Sequence, residues 1–305
     1  MGLTKLETKE LALATYDSWI SDPLANPPCP PKRLLAKAFN LSRSGLYYQP
    51  TKPQADLELY NRITDLHVTD DTLGSRKLAA MLAKSRVTVS RVMLKYGIEP
   101  RRKKPAYKYP GKADDVVANK LLNATDLDPA TEVLFSDILQ FRLADRTWVY
   151  ACFVIRKMTR QIIAFAYSWS MEASLVKANL DSLERLDLIA NLDDTEVIFH
   201  SDQGKQYGAQ STIDACLQQH FERSMSRAGT PTDNPIAERF VQTFKLAVTE
   251  RYQYQNLKEF HDQAERWLNF YNNQRPHESL GQLAPNEYAK QKGLKYVSCI
   301  SLDFV

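Results

Sequence analysis

Between residues 131 and 170, three runs rich in β-branched and aromatic side chains follow one another: TEVLFSDILQF, RTWVYACFVI and QIIAFAYSWS. The links between them, LADR and RKMTR, are too short to carry the chain back for parallel pairing. They require an antiparallel meander, since a parallel neighbour needs a crossover of roughly a dozen residues or more. The period then alternates. MEASLVKANLDSLERLDL reads as an amphipathic helix, TEVIFH as a short buried strand, STIDACLQQH as a helix, FERSMSR as a short strand and IAERFVQTFKLAVTERY as a long helix. The expected order is β-β-β-α-β-α-β-α, an α/β core with a five-stranded mixed sheet and flanking helices.

The chain before this core is helical in pattern. A Pro-rich run at residues 26–31 separates a short N-terminal helix from PKRLLAKAFNLSRSGLYYQP. There Leu34, Leu35, Ala38 and Phe39 have helical spacing, Asn40 stops the helix, and Ser42 can cap a second one through Tyr48. ADLELYNRITDLHVT sets Leu57, Leu59, Ile63 and Leu66 broadly on one face. SRKLAAMLAKS and TVSRVMLKYG form a helix-turn-helix pair, with Ser85 or Thr88 as cap. Prolines at 100 and 105 then forbid helix across Arg101, Arg102, Lys103 and Lys104. The expected organisation is a helical segment at 1–52, a helix-turn-helix DNA-binding domain with basic linker at 53–113, the core at 114–250 and a helical extension at 251–305.

Charge supports that division. The net charge of +4 is modest, yet residues 84–112 hold ten Lys or Arg against one acid, Glu99. A basic stripe interleaved with Tyr107 and Tyr109 is the footprint of a phosphate-backbone binder, and a solvated linker is the alternative. Arg86, Arg91, Lys95, Arg101, Arg102, Lys103 and Lys104 are the candidate DNA contacts. With 44% hydrophobic and 25% charged residues the chain is not disordered throughout. It contains no apolar run long enough for a transmembrane helix, and MGLTKLETKELALATYDSW lacks the apolar centre of a signal peptide. Four scattered cysteines with no CxxC make a zinc module or disulfide framework unexpected and fit a reducing cytosol.

Three carboxylates occupy informative positions. Asp137 interrupts the first apolar strand on the face of Val133, Phe135 and Leu139, where an uncompensated charge is costly. Asp202 lies just past the fourth strand, in FHSDQGKQY. Glu238 falls in the first turn of the last long helix, behind Asn234 as a possible cap and Pro235 in its first position. Sixty-four residues separate Asp137 from Asp202, and 35 separate Asp202 from Glu238. Oxygen ligands on adjacent strand ends and a helix suit two Mg²⁺ ions held about 4 Å apart for phosphoryl transfer. Unrelated surface acids are the alternative for any one of them.

The local words are specific. HSDQGKQY, SMSRAGTPTDNPIAERFVQTFK and YNNQRPHESLGQLAPNEY, together with LSRSGLYY and GSRKLAAML upstream, resemble the second-frame product of the IS3 family of insertion-sequence transposases. That family lies within the DDE transposase and retroviral-type integrase superfamily, and the resemblance spans roughly residues 40–290. It implies an RNase H-like core in which Asp137, Asp202 and Glu238 bind two Mg²⁺ ions, with Mn²⁺ as a substitute. It implies DNA contact by Gln242 and Lys245, which share the face of Glu238. His200, Tyr207, Asn234, Arg275 and His277 are implied as supporting residues, with His200 not expected to bind metal. FSDILQF departs from the family's usual W-x-x-D-I-T around the first Asp, although the carboxylate is kept.

The resemblance further implies a bacterial, cytoplasmic and nucleoid-associated enzyme acting on double-stranded DNA, both element ends and target. It implies a homo-oligomer on DNA, with an upstream-frame protein as possible fusion or partner and no membrane. The expected activity is metal-dependent cleavage and strand transfer at the ends of a mobile element. The alternatives are a domesticated DNA-binding regulator and an RNase H-like nuclease that only hydrolyses.

Overall fold

The computed structural model describes residues 11–17, 32–41, 52–102, 115–122, 128, 130–185, 196–294, 296–297 and 302–305. The chain divides into two compact units, residues 1–58 and 59–305. In the first, helices α1 (residues 11–17) and α2 (Lys32–Ala38) carry a small core of Ala12, Leu35 and Ala36. Asn40 ends α2 with a left-handed backbone, φ 51°, a conformation that Asn tolerates better than most residues. The helix expected after Ser42 lies outside the described residues, as do Lys103, Lys104 and the boundary expected at 113.

The second unit begins at Leu59, inside helix α3 (Lys52–Thr69). Leu59 and Ile63 are buried and Leu66 packs against them, but Leu57 is 43% exposed. Two residues along a helix turn the side chain by about 200°, so Leu57 cannot share the face of Leu59. Helices α4 (Ser75–Leu82) and α5 (Arg86–Lys95) follow, joined through Ala83 at φ 49°. Of the two expected caps, Ser85 serves: its Oγ accepts from Thr88 N at 3.1 Å. Leu78, Ala79 and Leu82 of α4 and Val89, Val92 and Met93 of α5 are buried in the core that also contains the sheet.

The sheet has the order β5-β4-β1-β2-β3-β6. Strands β1 (Glu132–Arg142), β2 (Trp148–Arg156) and β3 (Ile162–Ser168) form the expected antiparallel meander. Helix α6 (Ala173–Arg185) leads to β4 (Val197–Ser201), which pairs parallel to β1. Helix α7 (Gln210–Gln218) leads to β5 (Phe221–Met225), parallel to β4. The sixth strand is a correction to the expected five. β6 (Leu302–Phe304) comes from the extension read as helical and pairs parallel to β3, where Ser168 Oγ donates to Val305 O at 2.6 Å. It satisfies backbone groups that β3 would otherwise leave open at its outer edge.

The long helix after β5 is also not uniform. Helix α8 (Pro235–Phe244) runs into a single π turn, Lys245–Thr249. Carbonyls there find other donors: Arg101 Nη1 reaches Leu246 O and Glu250 O at 3.3 Å each, and Tyr254 Oη donates to Val248 O at 2.9 Å. Such donors stabilise a turn that departs from the regular ladder. Helix α9 (Leu257–Asn273) starts on a reciprocal cap, with Asn256 Oδ1 accepting from Glu259 N at 3.0 Å and Glu259 Oε2 from Gln255 N at 2.8 Å. Its Trp267 and Tyr271 pack on Phe240 and Phe244, and Phe240 stacks on Phe153 of β2 at 4.4 Å. This aromatic layer seats α8 on the sheet. Helix α10 (Pro285–Gln291) completes the described helices.

Candidate active site

The first two carboxylates are brought side by side by strand register. In the parallel β1–β4 pair, Phe135 lies opposite His200. Two residues further along each strand stand Asp137 and Asp202. Two residues preserve the face, and neighbouring strands lie about 4.8 Å apart, so both acids leave the sheet at the same edge of the pairing, where β4 ends. Across β1–β2, Asp137 lies opposite Phe153, the residue on which α8 rests. Helix α8 carries Glu238 in its first turn.

Asn234 ties this helix to β1. It was expected as a cap, but its side chain makes no capping bond; instead Nδ2 donates to Ser136 O at 3.3 Å, one residue before Asp137. The Asn234 carbonyl accepts from Glu238 N at 3.1 Å, and Pro235 sits at the helix start as expected. The loop in front is closed by Arg227. Its Nε and Nη2 each reach the Asp233 carboxylate at 2.9 Å, Arg227 N donates at 3.0 Å, and Asn119 Nδ2 adds a fourth bond at 3.0 Å. The Arg227 hydrogen bonds pull the Asp233 carboxyl down to about 2.

All three acids have a raised proton affinity. Burial, then the charge of Asp202, pushes Asp137 up to about 7, against the pull of the Ile138 N–H at 2.7 Å and the Lys245 charge, with Glu238 adding repulsion. Asp137 is nevertheless only half-buried, so its oxygens can still meet a ligand. Burial raises Asp202 and Glu238 as well. The repulsion between the two aspartates adds to burial in raising Asp137. Among the described residues no three His, Cys, Asp or Glu side chains form a ready-made metal cage.

The remaining expected site residues divide by what they touch. Lys245 acts electrostatically on Asp137, and Gln242 is exposed on α8. Tyr207 is buried behind β1, with Oη 3.0 Å from Ser136 Oγ and 3.8 Å from Cys152 Sγ. His200 is buried between Ser224 Oγ at 2.9 Å and Ser226 Oγ at 3.0 Å, and burial lowers it to about 4, so it is neutral at pH 7. Arg275 and His277 have other partners. Arg275 Nε donates to Asp70 Oδ2 at 2.7 Å, and His277 packs edge-on against Tyr271 at 4.8 Å. Arg86, Arg91, Lys95 and Arg102 are exposed, with Lys95 over the Tyr96 ring at 5.1 Å. Arg101 is also exposed, but is engaged by the π-turn carbonyls and lies 3.7 Å from Asp71.

Sequence reasoning missed Ser224, Ser226, Arg227, Asp233 and Gly204. Gly204 N donates to Asp202 Oδ1 at 2.9 Å, and a Cβ at Gly204 would stand 2.9 Å from that same oxygen. Glycine is therefore what lets the loop fold back on the carboxylate. Gly204→Ala is expected to displace Asp202 and lower activity by roughly 10- to 100-fold, the usual cost of disturbing a ligand's support. Thermal unfolding should shift little by comparison, and unchanged turnover in the variant would remove Gly204 from the site.

Two family models match the chain, both described as integrase core domain, over residues 129–231 and 219–285. The 31 kDa protein of insertion element IS600 from Shigella sonnei is 28% identical over 271 residues, covering 84% of this chain and 98% of that protein. InsK of insertion sequence element IS150 from Escherichia coli K12, named as a transposase, is 25% identical over 84% of this chain and 93% of its own length. The transposase of insertion sequence element IS629 from Shigella sonnei is 31% identical over 47% of this chain and 48% of its own.

Proposed function

We infer that this chain, an IS3-like DDE transposase, cuts DNA at the ends of a mobile element and joins the freed ends to a second phosphodiester. The observation that supports the residue assignment is the β1–β4 register, with Phe135 opposite His200 and Asp137 and Asp202 each two residues further on. The Asn234–Ser136 bond supports Glu238 as the third member by tying its helix to the same strand. Three oxygen-donor side chains with raised proton affinity, near one lysine, fit divalent cations. Asp137, Asp202 and Glu238 would hold them. Two Mg²⁺ ions, with Mn²⁺ as substitute, would supply Lewis-acid polarisation of the scissile phosphate and activation of the attacking oxygen.

The chain's own part is positioning. Asp137 would have to be ionised to hold a cation, Lys245 supplies positive charge toward Asp137, and Gln242 of α8 and Lys245 of the π turn would face the DNA end. Water first breaks the P–O bond that frees a 3′-hydroxyl; that hydroxyl then displaces the leaving oxygen of another phosphodiester, conserving the number of ester bonds. No Ser or Tyr nucleophile is invoked. Arg86, Arg91, Lys95 and Arg102 would contact double-stranded DNA, with Arg86, Lys95 and Arg102 on its phosphates, each worth about one released counterion. A homo-oligomer on two ends, an upstream-frame partner and a nucleoid location in the bacterial cytoplasm belong to the same reading. Among the described residues, no helix is long and apolar enough to cross a membrane.

Asp137 gives this reading a pH signature. Its carboxyl sits near 7 in the folded chain against 3.8 as the ordinary value, so its contribution to stability is fully present below about 4 and is lost as pH rises through 7. The metal-free protein should therefore lose melting temperature between pH 4 and pH 7, and Asp137→Asn should flatten that slope. Mg²⁺ should raise the melting temperature most at and above pH 7, where the carboxylate is already charged. Calorimetric scans across that range check the sign, and a wild-type slope equal to that of the Asn variant would overturn it. The functional test is incubation of labelled element-end duplexes with Mg²⁺: joined product supports transposition, cleavage without joining supports a nuclease, and binding with neither supports a regulator.

A further inference from the structure

Helix α5 has an outward face that its fold does not explain. Its inward residues, Val89, Val92 and Met93, are buried. On the opposite side Leu94 and Val87 are 85% and 79% exposed, the highest values for large hydrophobic side chains among the described residues. They stand seven residues apart with Arg91 between, at the i, i+4, i+7 spacing of a single helix face. Two aliphatic side chains at the crest of a solvated helix gain nothing from folding. Around them residues 84–102 carry Lys84, Arg86, Arg91, Lys95, Arg101 and Arg102 against Glu99 alone. A second copy of so basic a face is a poor occupant, because like charges would meet across it. A polyanion with apolar points at its surface is a good one.

We propose that α5 reads base sequence in the DNA major groove, with Val87 and Leu94 packing on thymine C5-methyl groups and Arg91 on a guanine between them. The major groove admits a helix, presents the thymine methyl as its one apolar group, and offers guanine O6 and N7 to arginine. Helix α5 is also the second of a helix-turn-helix pair, the member that enters the groove in such units. The inference rests on the chain acting on DNA, and it deepens that reading by assigning the class of sequence recognised.

The test uses the full chain and duplexes of the two element ends, made either with thymine or with uracil throughout, since uracil removes only the methyl. Wild type should bind the uracil duplex more weakly, by about fourfold for each contacted methyl and so roughly 15-fold for two. Val87→Ala with Leu94→Ala should lose a similar factor on the thymine duplex and no longer distinguish the two. Its salt dependence should stay as in wild type, because the phosphate contacts remain. The proposal is overturned if wild type binds both duplexes alike. It is also overturned if the double variant still discriminates as wild type does, or loses self-association instead of thymine preference. Joining of ends by wild type is scored in the same preparations. Joining without thymine discrimination removes only the α5 assignment, whereas absence of joining removes the underlying reading.

Discussion

Glu238→Gln should lower strand cleavage and strand joining together, by roughly 10²- to 10³-fold or more, the scale on which one electrostatic contributor to a transition state is worth. Binding of end DNA should be unchanged. The substitution keeps the shape of the side chain, and Glu238 is only half-buried in the first turn of α8, so little packing is at stake. Loss of a carboxylate at a helix N-terminus costs about 0.3–1 kcal/mol through the helix dipole, too little to unfold the domain. Asn234 holds the helix to Ser136 O independently of Glu238. A melting curve close to wild type, with both chemical steps lost, separates a catalytic carboxylate from a structural one. Joining at more than about a tenth of the wild-type rate would sink the assignment of Glu238.

The largest effect on stability is expected at Arg275. Its guanidinium is 5% exposed, and Asp70, its partner at 2.7 Å, is fully buried. Burial alone would raise the Asp70 carboxyl, but the Arg275 charge and hydrogen bonds from Thr72 and Arg275 more than offset it and hold it below its ordinary value. Thr72 N and Oγ1 donate to Asp70 Oδ1 at 2.9 and 2.6 Å. Arg275→Ala would strand a buried carboxylate at a cost of roughly 3–5 kcal/mol, a large part of the 5–15 kcal/mol that holds a domain folded. The double variant Asp70→Asn with Arg275→Ala should recover part of the loss, since the stranded charge is gone. Because the folded Asp70 carboxyl lies below 3.8, the stability it gives is present above that pH and disappears as pH falls past it. Denaturant titration of the single and double variants measures this; equal losses in the two would show that packing, not charge, governs the site.

The meander was legible because its links are short, and the two parallel strands because helices separate them. The carboxylates were legible for related reasons. Asp137 is a charge in an apolar strand, and Glu238 follows Asn-Pro, a helix start. The register that aligns Asp137 with Asp202 was not, since pairing is decided by partners distant in sequence. β6 escaped because three residues carry no periodicity. The π turn escaped because LKEF and KLAVT have equally helical compositions, and what stabilises the turn is Arg101, far away in sequence.

The site's supports followed the same rule. Ser224 and Ser226 look like ordinary strand serines until β5 aligns with β4 and brackets His200. Asp233 is one acid among 36 until Arg227 closes on it. Arg275, expected near catalysis or DNA, is drawn away because the RPH turn packs on the Asp70 turn of the helical module. Arg251 reinforces the same junction by donating to His67 O at 2.7 Å.

The most direct test of the central claim is strand transfer with labelled element-end duplexes whose 3′ terminus is either a hydroxyl or a 3′-deoxy sugar. The account predicts Mg²⁺-dependent joined product from the hydroxyl end and none from the deoxy end. It also predicts loss of product in Asp137→Asn, Asp202→Asn and Glu238→Gln alike. Joined product from the deoxy end, or Mg²⁺-dependent cutting that never yields a joined strand, would contradict it.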